Sequence, residues 1–192
     1  MDEENNWDDS FELLLEKYCD ECAIREQLHR NSFYYYSRWN NILQLPIIIL
    51  SAVSGSLQFL SQSFTEFEKI IITCTGSLSV LVSLISAVST YLKFGESKKI
   101  HENATNSWLA LYHIIRFQLS LKRELREEAN EFVKDTLLKY NHLFEISPIV
   151  KQSFITKVKA KLKKIDNEFH VPIYCNGIEP TKTYREDQKY DD

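Results

Sequence analysis

The sequence predicts an all-α membrane protein, a two-helix transmembrane hairpin flanked by long cytosolic helices. Three observations predict it. Residues 42–60 and 70–92 are apolar runs of 19 and 23 residues with no charge in either. Only the nine residues 61–69 join them. The flanking segments are rich in charge, and their apolar residues recur every three or four positions.

Each run is long enough for its task. About 20 apolar residues at 1.5 Å rise cross a hydrocarbon core of ~30 Å. A surface helix of a soluble domain carries a charged stripe; these two carry none for more than five turns. Chain averages point the other way, with a mean hydropathy of -0.30 and 26% charged residues. The averages mislead because charge is segregated: between residues 42 and 92 only Glu66, Glu68 and Lys69 are charged.

A nine-residue link forces an antiparallel hairpin, so both termini lie on one side. Arg25, Arg30 and Arg38 precede the first run, and Lys93, Lys98 and Lys99 follow the second. The link holds one Lys against two Glu. The positive-inside rule therefore puts both termini in the cytosol. The sequon Asn103-Ala-Thr105 would then face the cytosol and stay unmodified. Aromatic residues mark the two interfaces. Phe33, Tyr34, Tyr35, Tyr36 and Trp39 stand before the first run, Tyr91 and Phe94 at the exit of the second, and Phe59, Phe64 and Phe67 at the far end.

Inside the runs the small and polar residues are ordered. Gln44, Ser51 and Gln58 recur every seven residues, with Gly55 on the same stripe. Ala52 and Ser56 make a second small pair beside it. Gly76, Ser79, Ser83, Ser86 and Thr90 follow one helical face of the second run. Small residues let membrane helices approach, and hydroxyls and amides bond across. These nine residues are the candidate helix-packing or lumen face. The packing could be within the hairpin or between copies. With no ionisable residue in either run, any lumen would be weakly selective.

The remainder reads as residues 1–41 and 93–170, both cytosolic and helical, and a polar acidic tail, 171–192, expected to be disordered. Asp9 or Ser10 caps the first helix, whose stripe is Phe11, Leu14, Leu15, Tyr18 and Cys22. After the second run the pattern Ile100, Ala104, Trp108, Leu111, Ile115, Leu119 continues through Leu125, Ala129 and Phe132, as one long helix with Gly95 as its hinge. Such a helix needs a partner: the N-terminal helix or a second copy. Ser147-Pro148 reads as the start of a further helix. That helix sets Phe154, Ile155, Val158, Leu162 and Ile165 against Lys157, Lys159, Lys161, Lys163 and Lys164. The lysines are candidate lipid-headgroup contacts, or a solvated face on a packed helix.

Other function classes find little support. The net charge of -4 gives no case for nucleic acid. The five histidines are scattered, and neither a P-loop, a G-x-S-x-G nor an H-E-x-x-H occurs, so no enzyme and no cofactor is expected. Cys19-x-x-Cys22 has no second pair to complete a zinc site, so it reads as ordinary surface or packing cysteines. The acidic start, Met1-Asp-Glu-Glu, is not a signal peptide.

The order of these features resembles the SLATT superfamily, the two-transmembrane effector domains associated with SMODS and SLOG proteins. Arg38, the segment Leu45-Pro-Ile-Ile-Ile-Leu-Ser-Ala-Val-Ser-Gly-Ser56, the stretch Ile72-Thr-Cys-Thr-Gly-Ser-Leu-Ser79, and Phe94-Gly-Glu-Ser with His101 and then Trp108 to Leu119 carry the likeness, over about residues 10–140. The resemblance implies a hairpin that homo-oligomerises in a bilayer into a pore or membrane-perturbing assembly. It also implies a separate sensor protein, because none of the sensor domains of that family is attached. The alternative is a non-catalytic scaffold of a host-cell or virion membrane. The richness in Asn, Lys, Ile and Tyr fits an AT-rich genome, viral or bacterial.

Overall fold

The computed structural model describes residues 7–61 and 65–162. Five α-helices account for nearly all of them, and no strand occurs among the described residues.

The first helix, α1 (Asp9–Ser61), is unbroken over 53 residues, about 80 Å at 1.5 Å per residue. It begins where Asp8 caps it: its carboxylate accepts from the backbone N–H groups of Ser10 and Phe11. Acidic Asp9 and Glu12 then sit in the positive first turn. The expected cap at Asp9 or Ser10 is thus one or two residues late. No Gly or Pro interrupts the helix before Pro46, which it absorbs. The expected N-terminal helix and first apolar run are therefore one rod.

A 3-10 turn, Thr65–Phe67, leads into α2 (Glu68–Leu92), and α3 (Phe94–Ser120) follows at once. The second apolar run and its continuation are not one helix. They part at Lys93, the non-glycine residue with positive φ (φ 49°, ψ 34°), which ends α2 and opens α3. Gly95, expected as the hinge, lies inside the first turn of α3 instead. A Cβ there would come 3.1 Å from Asn40 Oδ1, so this glycine allows α1 and α3 to approach.

Together α2 and α3 run back along α1, α2 against its C-terminal part and α3 against its N-terminal part. The α3 half is thickened by α4 (Ala129–Ile146) and α5 (Gln152–Leu162) into a stem with a packed core. Leu15, Cys19 and Cys22 of α1 meet Trp108, Leu111 and Ile115 of α3 and Phe132 and Tyr140 of α4. Arg25 lies over the rings of Trp108 and Phe144, at 5.1 and 4.5 Å. A smaller cluster joins Ile24 and Leu28 of α1 to Phe154 and Val158 of α5.

Two further expectations are corrected. The apolar pattern through Leu125 and Phe132 does not extend α3, which stops at Ser120. The residues between α3 and α4 form a stapled turn. Arg126 donates to the carbonyls of Leu119 and Leu121 and pairs with Glu12, and Arg123 pairs with Glu12 and Asp9. A new start follows, where the Glu128 carboxylate caps α4. Ser147-Pro148 does not open a helix either. Ser147 closes α4, and its hydroxyl donates to Leu143 O at 2.6 Å and accepts from Trp108 Nε1 at 2.9 Å.

α5 stands along α1. Lys151 lies over the Tyr35 and Tyr36 rings at 4.2 and 5.2 Å, and Phe154 packs on Tyr35. Its apolar side is therefore spent on α1, with Lys157 and Lys161 exposed and Lys159 partly so. Lys163, Lys164, Ile165 and the tail 171–192 lie outside the described residues.

Candidate functional site

The nine candidate residues are placed by the seam along which α1 and α2 pack. Among the residues of α2 within the second run, Ile71, Thr75, Leu78, Val82, Ile85 and Ser89 are the ones shielded, at alternating steps of four and three. Opposite them Leu43, Pro46, Ile47, Leu50, Ser54 and Leu57 of α1 are shielded. That is a left-handed coiled-coil spacing. Polar pairs fix its register. Gln44 Nε2 donates to Ser89 Oγ at 3.2 Å near one end, and Ser54 Oγ lies 3.5 Å from Ser79 Oγ near the middle.

Apart from those polar positions the seam is aliphatic, so a single hairpin encloses no polar channel. The predicted face is elsewhere. Gln44, Ser51, Gly55, Gln58, Gly76, Ser79, Ser83, Ser86 and Thr90 are all exposed. A Cβ built on Gly55 or Gly76 would touch nothing within 4 Å. Within-hairpin packing accounts for Gln44 and Ser79, through their bonds to the opposite helix. The two glycines stay open.

Helical geometry puts both stripes on one side. At 3.6 residues per turn, each stripe lies roughly 80–110° round its helix from the seam, in the same rotational sense. Two antiparallel helices with facing seams are related by a twofold axis normal to their common plane. Equal rotations therefore bring both stripes to the same broad face. The opposite broad face holds Ile42, Leu45, Ile49, Val53, Leu60, Leu81, Val88 and Leu92, each more than 40% exposed. The hairpin thus has one hydroxyl, amide and glycine face and one mainly aliphatic face, on which the Ser56 and Ser77 hydroxyls donate to carbonyls of their own helices.

Exposure separates these helices from the core of a soluble domain. The most apolar windows of the two helical segments are 0% and 6% buried. A core helix would be mostly covered. Both segments are long and apolar enough to cross a membrane.

The interfacial aromatics also come together. Trp39 stacks on Phe94 at 6.1 Å, Tyr36 lies 6.1 Å from Phe94, and Tyr35 lies 6.4 Å from Trp39. They clasp α1 to the start of α3 beside Lys93. Tyr91 stands out, 85% exposed. At the other end Phe59 and Phe67 are exposed, at 76% and 57%, and Phe64 is outside the described residues.

Cys74 is an exposed thiol on α2, and further reactive groups lie in the stem. Cys19 and Cys22 are buried in its core; desolvation pushes the Cys19 thiol up to about 11 and the Cys22 thiol higher still. Neither is a thiolate near neutrality. Among the described residues no three His, Cys, Asp or Glu side chains gather as metal ligands. One pairing that sequence reasoning missed is His29 with His101, whose Nδ1 atoms lie 3.0 Å apart in the buried stem. They are separated by 72 residues, and no motif links them.

No protein-family model, curated protein or solved structure matches the chain.

Proposed function

We propose that this chain is an integral membrane protein. It crosses a bilayer twice, at residues 42–60 and 70–92, with the stem and both termini in the cytosol. Copies assemble through the hydroxyl–amide face into an oligomer that perforates the membrane. The observation that carries this reading is the two-faced hairpin. A mainly aliphatic face suits lipid tails, whereas a face carrying Ser51, Ser83 and Ser86 is costly in hydrocarbon and is best covered by another copy or by water. The aliphatic seam supports the multi-copy part, since two helices packed on Leu50, Leu78 and Val82 leave no lumen. A lumen lined by neutral amides and hydroxyls would pass small ions with little selectivity.

The test is ion flux from liposomes across a range of protein densities, with oligomer mass measured in parallel. Flux should rise more steeply than linearly with density. The double change Ser83→Leu with Ser86→Leu should abolish it, while Leu81→Ala on the aliphatic face should not. Liposomes that stay tight at every density would refute perforation.

One observation favours a second reading, a non-conducting scaffold. The hydroxyls of Ser79 and Thr90 return to their own helix, donating to Thr75 O and Ser86 O at 2.8 and 2.9 Å. Hydroxyls so spent favour dry helix contacts over a wet lumen. A scaffold would give the same oligomer, lost in the same double variant, with no flux at any density.

A further inference from the structure

In the stem, α1 and α3 touch through two imidazoles. His29 Nδ1 and His101 Nδ1 are 3.0 Å apart, and the residues are 2% and 3% exposed. Two like ring nitrogens at that distance share one proton, one donating and one accepting, so the contact requires that at least one ring be neutral. His101 also stacks flat on Tyr36, at 5.3 Å and 11°.

The charged surroundings lean toward cation. From α1, Arg25 acts on His29, and Glu26 one turn below is neutralised by Arg30 at 2.5 Å. From α3, Glu102 follows His101 and is exposed, and the Lys98 ammonium lies over Phe33. From α5, Lys151 reaches the Tyr36 ring, and from α4, Tyr140 covers Arg25.

We propose that the His29–His101 pair is an acid-released clamp that holds α1 to α3 and thereby regulates the hairpin above it. With one shared proton the rings bond. When a second proton arrives, both Nδ1 atoms become donors, two N–H groups oppose each other, and two cations sit side by side with no water. The contact then has no bonded form, and the helices must part. Burial supports the threshold: desolvation holds both imidazoles below their ordinary 6.5, so the pair stays neutral at neutral pH and opens on acidification. α1 runs without a break into the first apolar run, and α3 reaches the second through Lys93, so parting in the stem arrives at the hairpin as a change in spacing. This consequence rests on the membrane reading; the clamp itself does not.

The experiment is fluorine NMR of the full chain in detergent, with its three tryptophans as 5-fluorotryptophan, titrated from pH 7.5 to 3, a range that brackets His29, which burial pushes down to about 4. Nitrogen spectra of the imidazoles are recorded alongside. Trp39 and Trp108 flank the pair on either side. Both should shift in one transition below pH 6.5 as the two imidazoles become cations, and Trp7 should not. His101→Asn and His29→Asn each leave one imidazole with a partner that tolerates its proton, so each should abolish the transition while keeping the helical signal at pH 7.5. Persistence of the transition in either folded variant overturns the clamp. So do imidazoles of the unmodified chain that remain neutral at pH 3, or tryptophans that do not move as they charge; these hold even where neither variant folds. Because the readout needs no bilayer, tight liposomes would leave the clamp standing, and a silent titration would leave the membrane reading standing.

Discussion

Replacing Trp108 by Ala tests whether the stem is one packed unit. Trp108 is fully buried where α1, α3 and α4 converge. Its indole N–H donates to Ser147 Oγ at 2.9 Å, its ring meets Tyr140 at 5.4 Å, and Arg25 lies over it at 5.1 Å. Truncating a buried Trp costs about 3–5 kcal/mol in transfer and cavity terms. The lost hydrogen bond adds about 1 kcal/mol, and these losses overlap, so about 4 kcal/mol is expected. Trp108→Phe keeps most of the ring and loses the bond, for about 1–2 kcal/mol. Ser147→Ala loses that bond and the one to Leu143 O, for about 1 kcal/mol. Trp7 is the reporter: it is 5% exposed and lies 6.0 Å from Phe132 in the same cluster. Urea unfolding in detergent, followed by the fluorine signal of 5-fluorotryptophan at Trp7, which is resolved from those of Trp39 and Trp108, should give midpoints falling from the parent through Ser147→Ala and Trp108→Phe to Trp108→Ala. A Trp108→Ala midpoint within about 1 kcal/mol of the parent would refute a stem built around this residue.

The junction of α2 and α3 gives a second outcome. Lys93 bears a left-handed backbone, so Lys93→Gly should stabilise by about 1 kcal/mol and Lys93→Val should destabilise by a similar amount or more, read as thermal midpoints. Gly95→Val should lower the midpoint through its clash with Asn40, and Asn40→Ala should rescue it. Glu12 gives the third. Hydrogen bonds from Arg123, then Arg126, hold its carboxyl down to about 2, against 4.5 unfolded. Between those values the unfolded chain binds more protons, so the contribution is complete above pH 4.5 and is lost as pH falls toward 2. Glu12→Gln should cost about 1–2 kcal/mol at pH 7 after solvent screening. It should also flatten that part of the stability–pH curve, measured by urea unfolding at pH 7 and pH 3.

Much of the architecture was legible because a long uncharged run is a coarse signal. The absence of charge from 42–60 and 70–92 marks both apolar segments, and the second ends at Leu92 as expected. The spacing of Ser79, Ser83, Ser86 and Thr90 was legible as a face for the same reason: polar residues are few there, so their period stands out. What stayed hidden depends on tertiary contact. A lysine in left-handed backbone carries no sequence mark, so Gly95 drew the hinge to itself. The turn after Ser120 was masked because Leu125, Ala129 and Phe132 keep a helical period across it. The residues that make the turn, Arg123 and Arg126, act by reaching Glu12, more than a hundred positions away. Ser147-Pro148 is ambiguous by nature, since serine bonds backbone at either end of a helix and proline both starts and stops one. The seam of Leu50, Ser54, Leu78 and Val82 was hidden among equally apolar neighbours.

α1 and its return path differ in torsional stiffness. An unbroken helix about 80 Å long transmits twist along its axis, so turning its Trp108-facing end turns Ser51 and Gln58 with it. The return path is broken at Lys93, where α2 ends and α3 begins, so no single rod carries twist from α3 into α2. A torque applied to the stem would therefore reach the Ser51 half of the polar face directly and the Ser83 half only through side-chain contacts such as Gln44–Ser89 and Ser54–Ser79.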